Sequence, residues 1–181
     1  MLTELQIRKF TKLFTMFDSD NTGHLNLADF QKIAQKVSEF RGWKSNSSEA
    51  DNLSHKFLYY WIHLKGEVDK NRDSKVSLDE WLNYYDDMLN NPKRYEVEVG
   101  SLINLIFDVF DADGDGTIDR NEWVNLLSTY NSHRIYAEKA FSQIDINKDG
   151  CLSKEEVLKL FHDFHYSDEP QALGNLLFSP Y

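Results

Sequence analysis

Residues 111–122 read DADGDGTIDRNE, and residues 145–156 read DINKDGCLSKEE. Each stretch places Asp or Asn at its first, third and fifth positions, Gly at its sixth and Glu at its twelfth. Two further windows keep this frame with changes: residues 18–29 read DSDNTGHLNLAD, and residues 69–80 read DKNRDSKVSLDE. In chain order the four windows carry charges of −3, −1, −4 and −2, which is the whole net charge of −10 of the 181-residue chain. Half of the 8 glycines, Gly23, Gly114, Gly116 and Gly150, also lie inside them. Carboxylates that repel one another are gathered in four short segments.

A hard dication explains such gathering. Ca²⁺ takes six to eight oxygen ligands, and a twelve-residue loop supplies them from positions 1, 3, 5, 7, 9 and 12. The sharp bend at position 6 favours Gly. Position 7 contributes its backbone carbonyl, so its side chain is free to vary. The third window then offers Asp111, Asp113, Asp115, Thr117 and Glu122. The fourth offers Asp145, Asn147, Asp149, Cys151 and Glu156, and the first offers Asp18, Asp20, Thr22, His24 and Asp29. The second offers Asp69, Asn71, Asp73, Lys75 and Glu80.

These loops resemble those of the EF-hand superfamily, whose four spaced copies make a stronger signal than one acidic turn. Leu25, Val76, Ile118 and Leu152 fall at position 8, where that superfamily pairs its loops through a short strand. Asn26, Ser77, Asp119 and Ser153 at position 9 suit the N-cap of an exiting helix. In the last three windows a Glu follows three residues later, which is a capping-box spacing as well as a ligand spacing.

Apolar residues recur at helical spacing on both sides of every loop. Residues 3–17 place Leu5, Phe10, Leu13, Phe14 and Phe17 on one face, and 27–37 and 48–64 continue the pattern. Trp81, Leu82, Tyr85 and Leu89 form a helix that Asn91-Pro92 ends. Segments 99–110, 121–130, 135–144 and 154–165 complete eight helices. No segment outside the loops alternates as a strand does. The expected fold is all-α: four hands in two paired lobes packed into one compact body, with short β-bridges between paired loops. The expected divisions are 1–91 for the first pair, 92–166 for the second and 167–181 for a docked apolar tail. Segment 90–98 is too short to hold the lobes apart, and Leu173, Leu176, Leu177, Phe178 and Tyr181 are too apolar for a frayed end.

That ending, DFHYSDEPQALGNLLFSPY after a fourth hand, resembles the sarcoplasmic calcium-binding protein family, which has calexcitin-like and calerythrin-like members. Coelenterazine-binding proteins and photoproteins are related to it. The resemblance covers essentially the whole chain and implies buffering of Ca²⁺ and Mg²⁺, or a Ca²⁺-dependent switch.

Composition narrows the classes. A pI near 5.0 disfavours nucleic acid and anionic membranes as partners. One cysteine excludes an internal disulfide framework, and no apolar run is long enough to span a bilayer. With no secretory signal in MLTELQIRKF and Leu at position 2, a cytoplasmic monomer is expected. No nucleophile elbow, phosphate loop or two-His zinc helix appears, so an enzyme is not expected.

The loops are not equal. Asp29 is one methylene shorter than Glu, which suits six ligands and tolerance of Mg²⁺ in the first loop. In the second, Ser74 replaces the position-6 Gly, and Lys70, Arg72 and Lys75 cut the charge. It is the weaker site. With 3 Met against 12 Phe, 9 Tyr and 4 Trp, the interior suits a closed buffer better than a Met-lined groove. A switch for a specific protein partner, which the sequence does not identify, is the alternative. Binding of a luciferin-type small ligand is a third reading, with Trp81 and Trp123 pointing into the lobes. His162 and His165 are read as a solvated helix end.

Overall fold

Helix α1 (Glu4–Phe17) runs into the first acidic window and α2 (Leu27–Phe40) runs out of it. The frame repeats with α3 (Ser48–Val68) and α4 (Leu78–Leu89), α5 (Pro92–Phe110) and α6 (Arg120–Thr129), and α7 (Arg134–Ile144) and α8 (Lys154–Tyr166). The computed structural model describes residues 1–130 and 132–178, so Tyr181 of the expected tail lies outside the described residues.

Each exiting helix starts where its loop ends, for one local reason. Asn26, Ser77, Asp119 and Ser153 accept backbone amides as N-caps, while Asp29, Glu80, Glu122 and Glu156 reach back to the cap amide. Such a cap is worth about 1 kcal/mol. The shorter Asp29 completes this reciprocal pair too, although only the three Glu windows are read so from the sequence. Helix α5 begins seven residues before the expected position 99. Asn91 caps it and Pro92 occupies its first turn, where the missing amide costs nothing.

The long first interval is resolved as a 14-residue α2, a short connection and a 21-residue α3. Inside the loops lie β1 (His24–Leu25), β2 (Val76–Ser77), β3 (Thr117–Asp119) and β4 (Cys151–Ser153). Strand β1 pairs antiparallel with β2, setting Leu25 against Val76, and β3 pairs with β4, setting Ile118 against Leu152. All four position-8 side chains are buried.

One apolar cluster runs through both pairs of hands. Phe10 stacks on Tyr85 at 4.2 Å, and the Trp81 indole donates to the Phe10 carbonyl at 2.9 Å. Across the pairs, Phe17 meets Tyr130 edge-on at 5.3 Å. A 3-10 turn (Leu173–Leu176) lays the tail on α8 and α7. Leu177 and Phe178 are buried, with Phe178 edge-on to Phe161 and Phe164 at 5.6 and 5.1 Å. Leu173 stays exposed. Among the described residues no helix is long and apolar enough to cross a membrane.

The solvated helix end expected for the two histidines forms only at His162. His165 is 1% exposed, packed against Phe10, Tyr85, Tyr95 and Phe164. Its Nδ1 lies 2.7 Å from the Phe161 carbonyl and 3.2 Å from the Tyr95 hydroxyl. Burial pulls its pKa down to about 3, so the ring is neutral.

Candidate metal centres

All four loops share one turn. The position-1 carboxylate accepts the amide five residues on: Gly23 to Asp18 at 2.8 Å, Ser74 to Asp69 at 2.9 Å, Gly116 to Asp111 at 2.9 Å and Gly150 to Asp145 at 3.2 Å. That bond requires left-handed backbone at position 6, and the loops also use it at position 4. Asn21, Arg72, Gly114 and Lys148 occupy position 4, with φ of +56°, +64°, +76° and +59°. The sequence reading marked only position 6. Loop three has Gly at both places, whereas loop two has Arg72 and Ser74, each at φ +64°. A residue with a Cβ is disfavoured there by roughly 1–2 kcal/mol.

The carboxylates converge unequally. Oxygens of Asp18, Asp20 and Asp29 lie within 4.8 Å of one another, as do those of Asp111, Asp113 and Asp115. Among the described residues, Asp69, Asp73 and Glu80 do not form such a cluster, nor do Asp145, Asp149 and Glu156. In loops one to three the position-12 side chain ties the loop's ends together. Asp29 accepts the amides of Ser19 and Asn26 at 3.1 and 2.9 Å, and Glu122 those of Ala112 and Asp119. Glu80 accepts from Lys70, Asn71 and Ser77.

Electrostatics follow from these contacts. Burial pushes the Asp29 carboxyl up, and Asp20 adds to it, against the amides of Asn26 and Ser19. Burial acts the same way on Glu80, yet its hydrogen bonds from Ser77, Asn71 and Lys70 hold it below the usual range. The Thr117 hydroxyl and amide hold Asp115 down, and the Cys151 amide and thiol do so for Asp149.

The position-7 residues differ in what they touch. His24 is exposed, and its carbonyl accepts the Thr22 hydroxyl at 3.1 Å. The Lys75 amide donates to Asp73 at 2.9 Å, the Thr117 hydroxyl to Asp115 at 2.7 Å and the Cys151 thiol to Asp149 at 3.2 Å. That last bond pushes the Cys151 thiol up, away from the reactive thiolate.

One atom tests whether a cation fits. Asp145 is 8% exposed, and its Oδ1 is buried without a hydrogen-bond partner. Leaving a charged oxygen buried and unpaired is costly, and a dication supplies what it lacks. With oxygen donors throughout, the site chemistry is that of a hard ion.

Sequence reasoning missed residues that hold the hands together. Lys9, on the apolar face of α1 between Leu5 and Leu13, is fully buried, and its Nζ donates to the Phe164 and Ser167 carbonyls at 2.7 and 2.6 Å. A lysine at a core-facing helical position was the signal available.

The EF-hand domain pair model matches residues 7–86 and 101–161. Calerythrin of Saccharopolyspora erythraea is 26% identical over 168 residues, covering 92% of this chain and 95% of its own. The Ca-loaded apo form of the coelenterazine-binding protein from Renilla muelleri superposes with TM-score 0.79 at 23% identity, covering 99% of this chain and 100% of its own. A sarcoplasmic calcium-binding protein from amphioxus superposes with TM-score 0.74 at 20% identity, with complete coverage of both chains.

Proposed function

We propose, starting from the fact that this chain belongs to the family of EF-hand domain pairs and is a calcium-binding protein, that it works as a Ca²⁺ buffer that closes on its ions. On this reading residues 1–91 and 92–166 are the two pairs and 167–181 the docked tail. Asp18, Asp20, Thr22, the His24 carbonyl and Asp29 would hold an ion in loop one. Asp111, Asp113, Asp115, the Thr117 carbonyl and Glu122 would hold one in loop three. Asp145, Asn147, Asp149, the Cys151 carbonyl and Glu156 would do so in loop four. Loop two, with two side-chain-bearing residues in left-handed backbone, is the weakest. The monodentate reach of Asp29 makes loop one the place for Mg²⁺.

The observation that carries this reading is the filled interior. A sensor of this family type opens on Ca²⁺ to present a groove. Here Leu177 and Phe178 are buried, with Phe178 against Phe161 and Phe164, which supports a closed interior. A gap among Leu13, Phe17, Tyr60, Tyr85, Tyr130 and Phe178 leaves about 30 Å³ for the centre of a water molecule. That is room for one or two waters. Three Ca²⁺ would bring the net charge from −10 to −4, relieving repulsion between the loops.

A second reading, binding of a small apolar ligand, has one observation in its favour. The Trp123 indole nitrogen is buried without a partner, and Trp123 lines a gap with Phe178. A pocket for such a ligand needs about 300 Å³ or more, so the tail would have to withdraw.

Calorimetric titration with Ca²⁺, with and without millimolar Mg²⁺, tests the reading together with a hydrophobic dye. Three ions should bind while dye fluorescence falls. A strong rise in dye binding on adding Ca²⁺ rejects the closed buffer in favour of a switch.

A further inference from the structure

The carboxyl ends of α5, α6 and α8 lack the cations such ends favour. Neither α5 nor α6 has a basic residue in its last turn, and in α8 the only candidate is the neutral His165. All three are capped instead by side chains of the first hand. From α1, Lys9 donates to Phe164 and Ser167 at the end of α8 and Gln6 to the His165 carbonyl at 2.9 Å, while its N-cap Thr3 donates to the Asp168 carboxylate at 2.7 Å. Lys36 of α2 donates to the Thr129 carbonyl of α6 at 3.1 Å. Arg41, at the end of α2, reaches the carbonyls of Val109 and Asp111 at 3.4 and 3.5 Å.

Both helices that flank loop one are therefore fastened to the second pair, and one fastening lands on Asp111, the first residue of loop three. EF-hands respond to ions through the angle between their flanking helices. We propose that Lys9, Lys36 and Arg41 are positioning residues that make cation binding at the first loop and at the third and fourth loops interdependent. This rests on the cation-binding reading above. Ions in loops three and four would fix α5 and α8, and with them the carbonyls that hold α1 and α2, so the first hand meets its ion already ordered. The effect is reciprocal by linkage, and couplings of this kind are about 5- to 150-fold.

The amides of Gly23, Gly116 and Gly150, each bonded to its loop's position-1 carboxylate, give site-resolved signals for an NMR titration of the full chain with Ca²⁺. Silencing loops three and four with Glu122→Gln and Glu156→Gln should weaken binding reported by Gly23 at least about fivefold. In a Lys9→Met background, that ratio should collapse toward one. Lys9→Met leaves two carbonyls uncapped and can fail to fold, so Arg41→Gln, at a half-exposed position, is the companion and should lower the ratio on its own. A ratio of one in the unaltered chain, or one unchanged in both variants, overturns the coupling while leaving cation binding intact. If Gly23 reports no Ca²⁺ binding in the unaltered chain, the cation reading of loop one fails and the coupling falls with it.

Discussion

Ser74 donates its amide to Asp69 Oδ2 at 2.9 Å from a backbone held at φ +64°. Gly23, Gly116 and Gly150 make the same bond in the other loops without a side chain. At position 6, loop two thus keeps the geometry of its neighbours at a conformational cost that they avoid there.

Replacing Ser74 with Gly should remove that strain. Ser74→Gly is expected to stabilise the metal-free chain by about 0.5–1 kcal/mol, since part of the relief is offset by glycine's greater freedom when unfolded. Urea unfolding in the presence of a chelator measures it. A loss of stability would show that the serine side chain contributes something the turn needs.

Glu122 closes loop three, accepting the amides of Ala112 and Asp119, and β3 pairs with β4 of loop four. Glu122→Gln should abolish tight binding at loop three and weaken loop four through that pairing. Calorimetry should lose one ion, and the Gly150 amide should titrate at higher Ca²⁺. Asp29→Ala emptying loops three and four while Glu122→Gln left them intact would reverse the ranking of sites.

Gly174 carries the tail. A Cβ there would stand 2.3 Å from the Phe164 nitrogen and 2.4 Å from the Leu160 carbonyl oxygen, both backbone atoms of α8. Gly174→Ala should cost about 1–3 kcal/mol, typical of overpacking. It should also lift Phe178 off Phe161, raising hydrophobic-dye fluorescence even with Ca²⁺ bound. Deleting residues 170–181 should give the same dye signal. An unchanged signal in both would show that the tail does not cover the apolar interior.

His165 gives the chain an acid-sensitive core. Its folded pKa of about 3 lies below the roughly 6.5 of a free histidine. Between those values the unfolded chain binds a proton that the folded chain refuses. This contribution is therefore complete above about pH 6.5 and is lost progressively as pH falls. Relative to His165→Gln, the unaltered chain should lose about 2 kcal/mol of stability by pH 5. Parallel pH profiles for the two proteins would contradict a buried neutral imidazole.

The four loops and their flanking helices were legible in sequence because each is specified within twelve residues: ligand spacing, turn and helix cap fall on the same side chains, as Asp119 and Glu122 do in loop three. The pairing of Leu25 with Val76 and of Ile118 with Leu152 is what the resemblance to EF-hand loops implied for the position-8 residues. Local strain at position 4 was less legible, because Arg72 and Lys148 are ordinary surface residues unless the backbone is seen. What the tertiary structure alone decided lies between distant parts of the chain. Lys9 meets Phe164 across 155 positions, and His165 leaves solvent because Phe10 and Tyr85 close over it. Neither is written in any local spacing: a helix end takes its cap, and a histidine its protonation state, from whichever side chains packing brings against it.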